Sequence, residues 1–120
     1  MIIRPLGLPP RLQGRPSFVR VQGGGRRHGG KFVVLLAAAG TGGIKVGYTV
    51  SRKVGGAVVR NLVRRRLREI IRHHQHILRP SCELVIIAYA RAKTATFAAL
   101  QRDVVQQLGR LGAAELPTLR

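Results

Sequence analysis

Six arginines lie between positions 60 and 72, at Arg60, Arg64, Arg65, Arg66, Arg68 and Arg72, with Glu69 the lone acid among them. A guanidinium is permanently charged, presents five N–H donors in a planar fork and accepts nothing, so such a row suits paired contacts to phosphate oxygens. At helical spacing Arg60, Arg64, Arg68 and Arg72 stack one above the other and repel by roughly a few tenths of a kcal/mol per pair. A merely solvated face mixes its signs; a single-sign face that costs helix stability fits a polyanionic partner. Other chemistries find less support. Two-metal hydrolysis needs converging carboxylates, and Glu69, Glu83, Asp103 and Glu115 are dispersed along the chain. Of His73, His74 and His76, only His73 and His76 are helical neighbours, which favours a protonatable helix end over a metal site. Cys82 stands alone, so it forms no internal disulfide and no zinc site; it reads as a small buried residue.

The elements that must hold these arginines follow from periodicity. Gly55-Gly56 opens a helix that lasts to about His76. Val59, Leu62, Val63, Leu67, Ile70, Ile71, His74 and Ile77 share one broad face of it, while Asn61, Arg64, Arg65, Arg68, Glu69 and Arg72 fill the opposite arc and Arg60 lies at the boundary. Ahead of it a strand alternates, with Ile44, Val46, Tyr48 and Val50 on one side and Lys45, Gly47, Thr49 and Ser51 on the other. Phe32 to Ala39 is an unbroken apolar run buried on both faces, joined to that strand by a hairpin at Gly40–Gly43. Glu83 to Ala90 is a central-strand candidate beyond the helix stop at Pro80. Thr94 or Thr96 caps a last helix with apolar positions Phe97, Leu100, Val104, Leu108 and Leu111. Near the N-terminus, Pro16 to Gln22 reads as a short helix, although residues 18–22 also alternate like a strand, and residues 26–30 read as a basic loop. Residues 1–14 are a flexible basic lead-in, 15–112 one domain, and 113–120 a fraying tail. The order α-β-β-α-β-α, with a β-α-β unit around the arginine-rich helix, predicts an α+β domain with helices packed on a small sheet.

Composition agrees. The 22 lysines and arginines against four acids give a formal charge of +18, far more than solubility needs, and 45% hydrophobic residues supply a core. Nucleic acid or an anionic membrane is the partner class this implies. No stretch approaches the roughly 18 apolar residues of a membrane span, and proline and glycine interrupt the N-terminus where a signal peptide needs apolar continuity; the expected location is the cytoplasm. RNA suits the features better than DNA, because a basic helix beside a small-residue sheet face fits backbone and shape recognition and no helix-turn-helix or zinc finger is present.

The stretch Val46-Gly47-Tyr48-Thr49-Val50-Ser51-Arg52-Lys53-Val54-Gly55, followed by Ala57-Val58-Val59-Arg60-Asn61-Leu62-Val63-Arg64-Arg65 and continued by Arg68-Glu69, resembles the strand and helix signature of the protein subunit of bacterial ribonuclease P. Leu12, Phe18, Val21 and Gly25, Phe32 to Leu35, and the run from Glu83 to Ala90 extend the likeness over residues 12–111. The resemblance implies a subunit that joins a large catalytic RNA to remove 5′ leaders from precursor tRNA, as a monomer in a 1:1 ribonucleoprotein. In that family the RNA supplies the active site and holds Mg²⁺; no protein-bound organic cofactor and no membrane contact are expected. It further implies a two-layer sandwich like domain 2 of ribosomal protein S5, with a left-handed β-α-β crossover. Carried over by position, Arg60, Asn61, Arg64, Arg65 and Arg68 contact the catalytic RNA, with Arg52 and Lys53 leading in, and Phe18, Val33, Leu35 and Thr49 line the leader cleft. Leu62 stands where the signature has a second arginine, beside Arg66, which could reach across as a substitute. Gln22 and Leu35 stand where aromatics are frequent, so leader stacking rests mainly on Phe18. The alternatives are a structural, ribosomal-type RNA-binding protein with no substrate cleft and a cationic membrane binder. The second is disfavoured by the absence of tryptophan and by a helix stripe that the core requires.

Overall fold

Two runs of aliphatic residues, β2 (Val33–Ala39) and β4 (Cys82–Ala88), pair antiparallel in the middle of a four-stranded sheet. Strand β1 (Arg26–Gly29) lies outside β2 and β3 (Ile44–Thr49) outside β4, giving the order β1-β2-β4-β3. The computed structural model describes residues 11–12, 15–40, 42–78 and 81–113, with backbone alone for 15–19 and 113. Strands this apolar must be covered on both faces. On one face Val33, Leu35, Leu84, Ile86 and Val46 pack against Val63, Leu67, Ile70 and Ile71 of α2 (Ala57–His74) and Leu100, Val104, Leu108 and Leu111 of α3 (Phe97–Ala113). On the other, Val34, Leu36 and Val85 form a smaller cluster with Val21 of α1 (Arg15–Gly24) and Leu12. Strand β3 runs parallel to β4 with α2 as the crossover, so the expected β-α-β unit is present.

Helix α2 begins without help from a side chain. Its N-cap, Gly56, makes no capping hydrogen bond and its first turn holds no acid, so packing of the apolar stripe must hold the helix. Gly55 at φ +154° turns the chain into it; a Cβ there would come 3.1 Å from the Val59 side chain. In α3, Thr96 is the cap: its Oγ1 accepts from the Ala99 N–H at 3.1 Å.

Several expectations are corrected. Arg26–Gly29 is a strand and not a loop, because the outer edge of β2 needs partners for its backbone groups. Gly40–Gly43 is no hairpin, since β4 separates β2 from β3; the link is instead tied to the start of β4, where the Gly43 N–H donates to Ser81 Oγ at 3.1 Å. Phe97 stays 38% exposed although its helical partners are fully buried. Arg11 and Leu12, expected in a flexible lead-in, are docked: Arg11 bridges to Val46 in parallel, and Leu12 is buried with its N–H donating to the Val46 carbonyl at 3.0 Å. The rest of the lead-in, Pro80 and the tail from Ala114 lie outside the described residues.

Two carboxylates fasten the layers together. Asp103, buried on α3, accepts from the backbone N–H groups of Lys31, Phe32 and Val33 at 2.9, 2.8 and 3.2 Å, so α3 grips the entry to β2. The approach is so close that a Cβ on Gly30 would stand 2.2 Å from Asp103 Oδ1. On the opposite face, Arg20 Nη2 donates to both oxygens of Glu83 at 2.9 and 2.7 Å, tying α1 to the central strand. The Glu83 side chain is 16% exposed and that of Arg20 36%. Glu83→Gln is therefore expected to cost about 1 kcal/mol, less than a fully buried pair. That lowers Tm by roughly 4–8 °C and speeds amide hydrogen exchange selectively in α1; uniform exchange across the sheet and α1 would contradict the tether. Cys82 is sealed in the core, where burial pushes its thiol up to about 11, leaving it unreactive.

Candidate nucleic-acid interface

With Val63, Leu67, Ile70 and Ile71 of α2 turned into the core, the arc that carries Asn61, Arg64, Arg65 and Arg68 faces outward. Asn61 and Arg65 are exposed, Arg60, Arg64 and Arg68 half-buried. Arg64 Nη1 donates to Asn61 Oδ1 at 3.0 Å, which orders both side chains one turn apart. Arg64, Arg65 and Arg68 with Asn61, Val58 and Leu62 line an open groove of about 780 Å³. Its neighbour, a recess of about 350 Å³ at the outer edge of β3, shares Arg64 and Arg68 and adds Arg11, Leu12, Val46, Gly47 and Tyr48. A continuous basic path thus runs from the outer side of α2 to the sheet edge. Arg52 and Lys53 are exposed on the turn that leads into α2, pinned beneath by the fully buried Val54. These two and Arg60 lie outside the linings of both hollows. The Arg60 Nε is shut off from solvent and unpartnered among the described residues.

Not every arginine of the run is available. Arg66 Nη1 donates to the Ala95 carbonyl at 3.1 Å, fastening α2 to the start of α3. It is thus turned toward α3 and does not line the groove that Leu62 borders. Arg72 and His73 both bind Glu69, at 2.7 and 2.8 Å, and these bonds hold the Glu69 carboxyl below its usual range. Leu62, expected on the core face, instead lines the basic groove beside Val58, which is 83% exposed.

The leader-cleft residues divide. Val33 and Leu35 are fully buried in the cluster under α2 and α3, on the wrong face of the sheet to meet a ligand beside α1. Thr49 does lie on the α1 side, in a row across the sheet with Ile87, Val34 and Gly29. Ile87 and Thr49 are its partly open members, the partly open Tyr89 lies beside it at Gly29, and the Arg91 guanidinium lies 5.2 Å from the Tyr89 ring centre. The Phe18 side chain lies outside the described residues. Arg11, Tyr48, Val58 and Leu62 line the two hollows and are the positions that sequence reasoning missed. The Leu12 match hinted at the first, but Tyr48 in an alternating strand carries no signal separating a core ring from a groove wall.

The described carboxylates are all engaged: Asp103 by three N–H groups, Glu83 by Arg20, Glu69 by Arg72 and His73. No group of three or more histidine, cysteine or acidic side chains could hold a metal among the described residues. No helix among them is long and apolar enough to cross a membrane.

Comparison with known proteins agrees with this geometry. The family model described as Ribonuclease P matches residues 9–112. A ribonuclease P protein component of Thermus thermophilus is 43% identical over 106 residues, which cover 87% of this chain and 61% of the relative, so the chain spans about three fifths of that protein. That of Citrifermentans bemidjiense is 38% identical over 102 residues, 84% of this chain and 87% of the relative. Among solved structures, the Staphylococcus aureus RNase P protein superposes with a TM-score of 0.75 at 25% identity, over 82% of this chain and 91% of that one.

Proposed function

Since the chain belongs to the ribonuclease P protein family, we propose that it is the RNA-binding subunit of ribonuclease P, which assists removal of 5′ leaders from precursor tRNA. The observation that carries this reading is the row Arg64, Arg65 and Arg68, held outward with Asn61 by a helix whose opposite face is locked into the core. Guanidiniums on a preordered helix displace counterions from a folded RNA without first having to be ordered themselves. Hydrolysis falls to the RNA partner together with its Mg²⁺, a division supported by the engagement of the protein's described carboxylates elsewhere. The protein acts as a monomer in the cytoplasm and contributes position: the RNA lies along α2 and the 5′ leader across the α1 side of the sheet, over Thr49, Ile87 and Tyr89, with Arg91 at the rim. Holding leader and RNA subunit together raises substrate affinity and aligns the scissile bond.

Reconstitution tests the reading. At low Mg²⁺, adding the protein to the RNA subunit from the same source should restore cleavage of precursor tRNA and lower KM more for leader-bearing substrate than for one with a truncated leader. Tight RNA binding with no change in cleavage would favour the ribosomal-type structural role instead.

A further inference from the structure

Every charged side chain in the recess at the outer edge of β3 is an arginine. Arg11 reaches it from the segment ahead of α1, Arg64 and Arg68 from α2, and Leu12, Val46, Gly47 and Tyr48 complete its lining, which holds no carboxylate. The Arg68 guanidinium lies over the Tyr48 ring, 5.7 Å from its centre. The Tyr48 hydroxyl is closed off from solvent and has no hydrogen-bond partner among the described residues. Its charged neighbours, Arg68 and Arg11, can only donate, so the phenolic proton finds no acceptor there. Burial raises the phenol well above its ordinary range despite those two cations, and it stays a donor at any physiological pH. A buried donor without an acceptor is costly and asks for an explanation. A negatively charged group that only accepts would answer the hydroxyl and the neighbouring guanidiniums together.

We propose that the recess seats one internal phosphate of the bound RNA strand, gripped by Arg11, Arg64 and Arg68, with the Tyr48 hydroxyl as a further donor. The inference rests on the RNA-binding role proposed above and adds to it a defined subsite and two residues, Arg11 and Tyr48. An internal phosphate is the occupant because Arg64 and Arg68 also line the groove along α2: a backbone following that groove reaches the recess without interruption. A phosphate that draws Arg68 off the ring uncovers the hydroxyl, which then donates to it. The occupied recess also clamps the segment before α1, already joined to β3 by the Leu12 N–H.

The test uses the full chain with Tyr48→Phe and Arg11→Gln, measuring Kd for the ribonuclease P RNA across a salt series and the melting temperature of the free protein. Tyr48→Phe should weaken RNA binding roughly 3- to 10-fold with an unchanged salt slope, while the free protein melts at the same or a higher temperature, since an unpaired buried hydroxyl has been removed. Arg11→Gln should weaken binding by a similar factor and flatten the slope of log K against log salt by about 0.7–0.9, one phosphate contact. The proposal is overturned if both variants bind as wild type while loss of Arg64 and Arg65 still impairs binding. It is overturned equally if Tyr48→Phe lowers the melting temperature, which would mean the hydroxyl already has a structural partner. Failure of the wild-type protein to bind RNA at all would instead remove the role on which the subsite depends.

Discussion

Replacing Arg64 and Arg65 together by alanine is expected to weaken binding to the ribonuclease P RNA by about 2–3 kcal/mol, roughly 30- to 150-fold, as two charge-assisted contacts are lost. Arg65 is exposed and Arg64 half-buried, and neither belongs to the core, so the fold should be unaffected to within about 0.5 kcal/mol. Relief of the repulsion among Arg60, Arg64 and Arg68 works in the same direction. The salt response separates this from general damage. If the intact protein neutralises roughly six phosphates, its affinity falls by about three orders of magnitude between about 50 and 200 mM salt, and the double variant should show a log–log slope shallower by about 1.4–1.8. A binding loss with an unaltered slope would mean that these guanidiniums do not touch phosphates.

The second large effect concerns stability. Asp103→Ala leaves three backbone donors at the entry to β2 without an acceptor, at about 1–3 kcal/mol for a buried group and less for the part-buried Lys31 N–H. A total near 4 kcal/mol is expected, a large share of the roughly 5–15 kcal/mol typical of a domain. It reads out as a fall of Cm in urea at constant m. Asp103→Asn keeps one acceptor oxygen and should lose about half as much. A midpoint unchanged by Asp103→Ala would show that water or a rearranged loop satisfies the donors equally well.

Much of the arrangement could be read from the chain because the relevant patterns are strongly periodic. The stripe Val63, Leu67, Ile70 and Ile71 determines which side of α2 turns inward, and the charge excess determines what the other side meets. The failures have physical causes. Val33-Val34-Leu35-Leu36 is apolar at every position, so nothing in it marks which residues face which layer; the parity of β2 is set by pairing with β4 and by α1, and the leader-cleft assignment falls one residue out of phase. The hairpin expectation fails because two strands adjacent in sequence are separated by one arriving 33 residues after β3, for which local turn chemistry carries no information. Leu62 sits at the margin of the helical stripe, where a rotation of a few tens of degrees decides between core and groove. Asp103 reads as an isolated acid because its three partners lie some 70 residues earlier in the chain.

The central position of β4 has a bearing on how the molecule comes into being. Both β2 and β3 hydrogen-bond to β4 and neither to the other, so during synthesis most of the sheet waits on a strand made after the arginine-rich helix. Until Ala88 has left the ribosome, the seven-residue β2 has one edge with no native partner, and α2 can fold only onto an incomplete surface. Such late, non-local closure slows folding and exposes apolar strand in the interim, while the nascent chain's own cationic helix emerges first, beside the polyanionic ribosome that made it.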